Sequence, residues 1–90
     1  MRIISINTDY ASGPLLEVEI SRDESNITEF PHTIDITPID DLSRSKSTRQ
    51  DNLIRKLAEL GVQQGTCQQL IEIVREQKVN NVRFLLAQNE

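Results

Sequence analysis

Few residues in this chain have the type and spacing that chemistry requires. The chain contains one histidine, His32, and one cysteine, Cys67. A nucleophilic triad needs a base beside its nucleophile, and His32 instead follows Pro31 in a predicted strand. A zinc or iron site needs several thiolate or imidazole ligands, and a single cysteine also excludes an internal disulfide. We therefore predict no metal site, and we interpret Cys67 as a small buried thiol on the apolar side of its helix.

Paired carboxylates and a glycine pair are the other candidates for chemistry. Glu17 and Glu19 alternate with apolar residues, which is typical of the solvated face of a strand. Asp40 and Asp41 follow Thr37-Pro38, where acidic residues favour the first turn of a helix. The segment 61–65 has glycines at both ends but lacks the lysine and Ser/Thr of a phosphate-binding loop. We therefore predict that the protein is not an enzyme and has no cofactor.

Length and composition predict one small domain. The 90 residues are 37% hydrophobic and only 3% aromatic, so the core must consist mainly of Ile, Leu and Val. No apolar run approaches the roughly 18 residues of a membrane span, and residues 1–9 lack the apolar segment of a secretory signal. We therefore predict a cytoplasmic location and no membrane partner.

Charge is divided unevenly along the chain, whose net charge is −4. Residues 1–43 hold two basic and nine acidic residues, a charge of −7, whereas residues 44–90 hold eight basic and five acidic residues, a charge of +3. Such asymmetry marks an interaction surface in some proteins and two differently solvated faces in others, and both interpretations stay open at this point.

Alternating apolar residues predict strands in the first half. The strands cover residues 2–9, 15–21 and 27–36, with turn signals at 11–14 and 22–26 and an interruption near Pro31. Pairing in chain order gives a three-stranded antiparallel meander with one apolar face. The residues predicted on that face are Ile4, Ile6, Leu16, Val18, Ile20, Ile34 and Ile36.

Helical spacing predicts three short helices in residues 47–88. The first begins at 47–49, where Ser47 and Gln50 have the form of a capping box, and it ends before Gly61. A second box at Thr66 and Gln69 opens the second helix. The third follows an interruption at residues 80–81, and its apolar residues are Val82, Leu85 and Leu86.

These elements predict an α+β fold in which the N-terminal three-stranded antiparallel meander packs on the three short C-terminal helices. Because a small sheet alone in water is marginally stable, the helices must cover its apolar face. We predict a single domain, residues 1–90. It divides into an acidic β-rich half (1–42), a basic serine-rich connector (43–48) and a helical half (49–90).

Residues 60–70 resemble the turn and second helix of the helix-turn-helix DNA-binding motif. The resemblance rests on a turn glycine, Gly61, followed by Val62, and on Thr66, Cys67 and Leu70 in the second helix. It implies that polar residues at the start of the second helix contact base edges and that basic residues of the connector contact phosphates. The residues implied are Gln63, Gln64, Thr66, Gln68 and Gln69 for the bases, and Arg44, Lys46 and Arg49 for the phosphates.

Residues 52–86 also resemble the ubiquitin-associated (UBA) three-helix domain. That family has a glycine after its first helix and a Leu-Leu pair in its third, as Gly61 and Leu85-Leu86 provide here. The resemblance implies a UBA-like three-helix unit and concerns the fold alone.

Two functional hypotheses follow. The first is a small non-enzymatic regulatory protein, an adaptor or inhibitor that binds another protein through the helical half or an exposed strand edge. The alternative is a transcriptional regulator that binds DNA through the helix-turn-helix-like segment 53–77. Overall acidity favours a protein partner, because nucleic-acid binders are usually basic. Homo-oligomerisation stays open, and the eight residues of the helix-turn-helix resemblance are the candidate contacts for either partner.

Overall fold

The computed structural model describes residues 1–39 and 46–88. Residues 40–45, which include the predicted acidic turn at 40–41 and part of the connector, lie outside this description. The strands are β1 (Arg2–Asn7), β2 (Leu15–Ile20), β3 (His32–Asp35) and β4 (Asn81–Leu86). The helices are α1 (Arg49–Glu59) and α2 (Gln64–Gln77), with a short 3₁₀ helix (Arg22–Glu24) after β2.

The four strands form one mixed sheet in the order β1-β2-β4-β3. β1 pairs with β2, and β3 with β4, in antiparallel directions. The central pair, β2 and β4, is parallel, with Leu16 opposite Val82 and Val18 opposite Phe84. The chain between the central strands contains β3 and both helices, so most of the fold is the connection between two neighbouring strands.

The predicted third helix is wrong, because residues 81–86 form β4. The spacing of Val82, Leu85 and Leu86 fits one helical face, but it disregards Phe84. Val82 and Phe84 are fully buried and Arg83 between them is half-buried, which is the two-residue period of a strand. Only two of the three predicted helices exist in the described residues.

The predicted three-stranded antiparallel meander is also wrong. The predicted third strand shortens to His32–Asp35, directly after Pro31, and it is not a neighbour of β2. β4 lies between them and pairs with both. Sequence order suggested pairing of consecutive strands, whereas the centre of the sheet is made by two strands that lie far apart in the chain.

Local signals located the first helix correctly. α1 begins after Thr48, whose hydroxyl accepts a hydrogen bond from the Asp51 N–H over 3.0 Å, so the capping box lies one residue later than predicted. It ends before Gly61, which has a φ of +64°, a conformation that favours glycine. In the described part of the chain, no helix has the length and apolar character needed to cross a membrane.

A single hydrophobic core lies between the helices and one face of the sheet. It joins residues of β2, β3 and β4 to both helices. Its fully buried side chains include Leu16 and Val18 from the sheet, Leu53 and Leu57 from α1, and Leu70 from α2. The helices therefore cover one face of β2, β4 and β3.

The opposite face of the sheet is largely polar, although Leu15 also lies on it. Arg2 forms an ion pair with Glu19 over 3.0 Å, and Arg83 lies 3.8 Å from a Glu17 oxygen. Arg83 also stacks on the Tyr10 ring, 5.5 Å from its centre. Glu17 and Glu19 therefore lie on the solvated face of their strand, as their alternation indicated.

Leu70→Ala should destabilise the fold strongly. Leu70 is fully buried in the core, and removing such a side chain costs about 2–5 kcal/mol, a large part of the stability of a small domain. Urea unfolding measures the loss. Ile54→Ala is the matched control, because Ile54 on α1 is 46% exposed and its truncation should cost about 1 kcal/mol or less. Equal losses in the two variants would contradict the assignment of the core.

Candidate functional site

The surroundings of Cys67 and His32 do not activate either side chain as a nucleophile. Burial raises the pKa of Cys67, and its S–H donates to the Val62 carbonyl over 3.4 Å. His32 is half-buried in β3, opposite Phe84 of β4. Within residues 1–39 and 46–88, no group of three or more His, Cys, Asp or Glu residues is placed to hold a metal ion.

The helix-turn-helix-like segment is an antiparallel helical hairpin. Residues 60–63 connect α1 to α2, and the first residues of α1 line the same cleft as the last residues of α2. The helices therefore run in opposite directions beside each other. Because α2 has 14 residues, its two ends are about 20 Å apart.

Two of the predicted contact residues instead hold the N-terminus of α2 on the 3₁₀ helix. The Gln63 side chain donates to the Asp23 carbonyl over 2.9 Å, and its backbone N–H donates to the Glu24 carbonyl over 2.8 Å. Thr66 is buried, and its hydroxyl donates to Glu24 Oε2 over 2.5 Å. These side chains connect the two halves of the chain.

Glu24 is the centre of this contact. Its carboxylate also accepts the Ser21 N–H over 3.0 Å and lies 3.2 Å from the Met1 ammonium. Burial acts to raise the pKa of Glu24, but the hydrogen bonds from Ser21 and Thr66 and the nearby ammonium outweigh it, so the pKa lies below its usual 4.5. The carboxylate is therefore stabilised in its charged form.

Besides the exposed Gln63, three further predicted contact residues are exposed near the start of α2: Gln64, Gln68 and Gln69. Their amides are available to a partner. The neighbouring 3₁₀ helix contributes the acidic residues Asp23 and Glu24, which disfavour a phosphate backbone at this end of α2.

The predicted basic contacts lie elsewhere. Arg44 is outside the described residues, and Lys46 is exposed two residues before the α1 cap. Arg49, the first residue of α1, donates from Nε to Asn80 Oδ1 over 2.8 Å. It lies beside the C-terminus of α2, so Arg49 and the exposed glutamines do not form one surface.

Arg49 contributes to what we call the basic cleft. This cleft has a volume of about 260 Å³, and its lining residues are Thr48, Arg49, Gln50, Val74, Arg75 and Lys78. Three of the six are cationic and none is acidic. Sequence reasoning missed Arg75 and Lys78, although their spacing of three residues at a helix end places them close together.

The second surface that sequence reasoning missed is the β1 apolar surface, formed by Ile3, Ile4 and Ile6. These side chains are 48%, 40% and 38% exposed. Ile3 and Ile6 lie opposite Val18 and Leu16, which are fully buried under the helices. The prediction that Ile4 and Ile6 belong to the covered core is therefore wrong, because the helix layer ends at β2.

The adjacent isoleucines at 3 and 4 were a sign of this irregularity. The pairing register of β1 with β2 shifts between Ile3 and Ser5, so Ile4 is an extra residue, as in a β-bulge. Strict alternation cannot describe such a strand.

No protein family model, curated protein or solved structure matches this chain.

The Glu24 contact should make stability depend on pH. A carboxylate whose pKa is lowered by folding stabilises the protein above its unfolded pKa, and that contribution is lost as the pH falls through the folded pKa. Glu24→Gln should therefore be less stable than wild type at neutral pH, and the difference should shrink below pH 4.5, the usual value for this group. Urea unfolding at a series of pH values measures this difference.

The exposed Glu29 provides the control variant Glu29→Gln. Asp35, whose pKa is lowered by hydrogen bonds from Thr37, contributes equally in all three proteins. A difference between Glu24→Gln and wild type that stays constant down to about pH 3 would contradict this role of Glu24.

Proposed function

We propose that this chain is a small regulatory interaction protein, an adaptor or inhibitor that binds another protein and catalyses no reaction. The observation that supports this most directly is the β1 apolar surface. Ile3 and Ile6 belong to the face of the sheet that is buried everywhere else. A partner that continued the helix layer over β1 would complete the burial.

The energetic gain from such a partner is substantial for a domain of this size. Full burial of an isoleucine side chain contributes about 1.5–3 kcal/mol, and these three isoleucines still have two-fifths to one-half of their surface exposed. Covering them would therefore contribute on the order of 2–4 kcal/mol. Exposed apolar side chains that lie next to one another are typical of interaction surfaces.

The irregular register of β1 indicates how the partner contacts this surface. A bulge interrupts the regular hydrogen-bonding edge that an added strand would need, and proteins use bulges to prevent such pairing. The partner therefore contacts the isoleucine side chains with an apolar helix face instead of adding a fifth strand.

DNA binding remains the second candidate. It is supported by the exposed Gln64, Gln68 and Gln69 at the start of α2, as in the helix-turn-helix resemblance. Its support is weaker, because Thr66 bonds Glu24 and because the basic residue Arg49 lies at the opposite end of α2.

Lysines on the β1 apolar surface should abolish the protein interaction. In Ile3→Lys/Ile6→Lys, a desolvated ammonium replaces each apolar contact, and the affinity should fall by a factor of about ten or more. Wild type and variant are used to capture partners from nuclease-treated extract of the source cells. The partner is then purified, and its affinity is measured by calorimetry.

Ile54→Lys is the matched control, because Ile54 is an isoleucine of similar exposure that lies on α1. It should retain the partner. Thermal melts establish that all three proteins are folded. The proposal would be contradicted if the β1 substitutions did not reduce capture, or if capture occurred only from extract without nuclease treatment. A wild-type dimer that only the β1 substitutions dissociate would identify the partner as a second copy of this chain.

Duplex DNA should not bind. Fluorescence anisotropy with a random duplex pool at two salt concentrations should show no salt-sensitive binding at micromolar protein, because phosphate contacts would make affinity fall with salt. The DNA alternative would be supported by salt-sensitive binding whose sequence preference is lost in Gln68→Ala/Gln69→Ala. The expected loss is about 1–3 kcal/mol of binding free energy per base contact.

A further inference from the structure

The basic cleft concentrates positive charge at one end of the helical hairpin. Arg49 comes from the first turn of α1, whereas Arg75 and Lys78 come from the end of α2. None of the three forms an ion pair with another described residue. A cleft lined by three cations without ion pairs and by no acidic residue attracts an anion.

The geometry of the cleft is partly fixed before any ligand binds. The bond from Arg49 Nε to Asn80 orients the guanidinium and leaves its terminal nitrogens available. Lys78 is the C-cap of α2 and has a left-handed backbone with a φ of +53°, so its position is set by the end of the helix. Groups that are already oriented lose less entropy when they bind a ligand.

Only part of this charge is explained by stabilisation of the helices. Arg75 and Lys78 at the C-terminus of α2 are favourable for the dipole of that helix. Arg49 is not, because it lies at the positive end of α1, where anionic groups are preferred. An anion in the cleft would interact favourably with all three cations and with the N-terminus of α1, and these interactions oppose the repulsion from the negative end of the α2 dipole.

The volume of the cleft indicates the size of this anion. About 260 Å³ lies below the roughly 300–1,000 Å³ of typical small-molecule sites, so the cleft suits one charged group and a little of what carries it. A phosphate monoester has a charge of about −1.5 to −2 and three acceptor oxygens, which match arginine donors.

A nucleic-acid backbone fits less well. A duplex needs a row of cations, but Glu72 and Glu76 are exposed along α2 beside Arg75, and the far end of α2 lies against Glu24. We propose that the basic cleft is a binding site for a phosphorylated serine or threonine side chain on an extended segment of another protein. This site is separate from the β1 apolar surface and does not depend on it.

The test uses acetyl-Gly-phosphoserine-Gly-amide as the probe, in phosphate-free buffer at about 0.15 M salt, where the screening length is about 8 Å. It is titrated into ¹⁵N-labelled protein and followed by heteronuclear NMR. Saturable shifts are expected at the amides of Arg49, Gln50 and Lys78, whereas the unphosphorylated peptide should cause none. In Arg75→Gln/Lys78→Asn, the affinity should fall by a factor of about ten or more. Asparagine is used at 78 because it tolerates a left-handed backbone.

Arg22→Gln/Arg55→Gln is the matched control. It removes the same charge from two exposed arginines outside the cleft, and it should retain the affinity within about twofold because distant charges are screened. Thermal melts and the NMR spectra are used to check that both double variants are folded. Ile3→Lys/Ile6→Lys should bind the phosphopeptide as wild type does, which separates this site from the proposed function.

Four results would overturn the proposal. The first is the absence of saturable shifts up to roughly 10 mM peptide, an affinity too weak to matter. The second is an equal loss in the two double variants. The third is inorganic phosphate that binds as tightly as the phosphopeptide, which would assign the cleft to a free anion. The fourth is duplex DNA that shifts the same amides at lower concentration, which would assign it to nucleic acid.

Discussion

The parallel pairing of β2 with β4 is the constraint on which the rest of this structure depends. Neighbouring parallel strands cannot be joined by a tight turn, so the chain between them must cross over one face of the sheet. Here that crossover contains β3, α1 and α2. Because β4 occupies an inner position, β1 and β3 become the two edges. Core-facing side chains that meet across the central pair, such as Val18 and Phe84, are therefore fully buried.

The uneven charge of the sequence has a partial explanation in the orientation of α2. Its N-terminus lies on the acidic 3₁₀ helix, where Thr66 bonds Glu24, and its C-terminus carries Arg75 and Lys78. Negative groups near the start of a helix and positive groups near its end both stabilise it through the helix dipole. Part of the division between an acidic first half and a basic second half therefore stabilises the packing of one half on the other.

The features that could be predicted were those set by residues close in sequence. The first helix was located by its apolar spacing and by Gly61, and β2 by its clean alternation. β4 was missed because its six residues fit both the spacing of a helix and the alternation of a strand. The burial that distinguishes the two depends on pairing with β2, which lies far away in the chain. The bond that Thr66 makes was missed for the same reason. Thr66 was a reasonable contact residue by its position in a helix, but its partner Glu24 lies 42 residues away, and no local pattern indicates that pairing.

The exposure of β1 follows from where the helices are anchored. The buried Asn52 of α1 donates to the Thr37 carbonyl just after β3 over 2.9 Å, and the Leu60 carbonyl accepts the Asn26 N–H over 2.8 Å. The first bond holds the start of α1 beside the end of β3, at the edge of the sheet opposite β1. Edge strands are commonly protected by lysine, by proline or by a bulge, and β1 has the bulge while it carries Ile3 and Ile6 at exposed positions. Ile3 and Ile6 therefore keep 48% and 38% of their surface exposed, at an edge of the sheet that the helices do not reach.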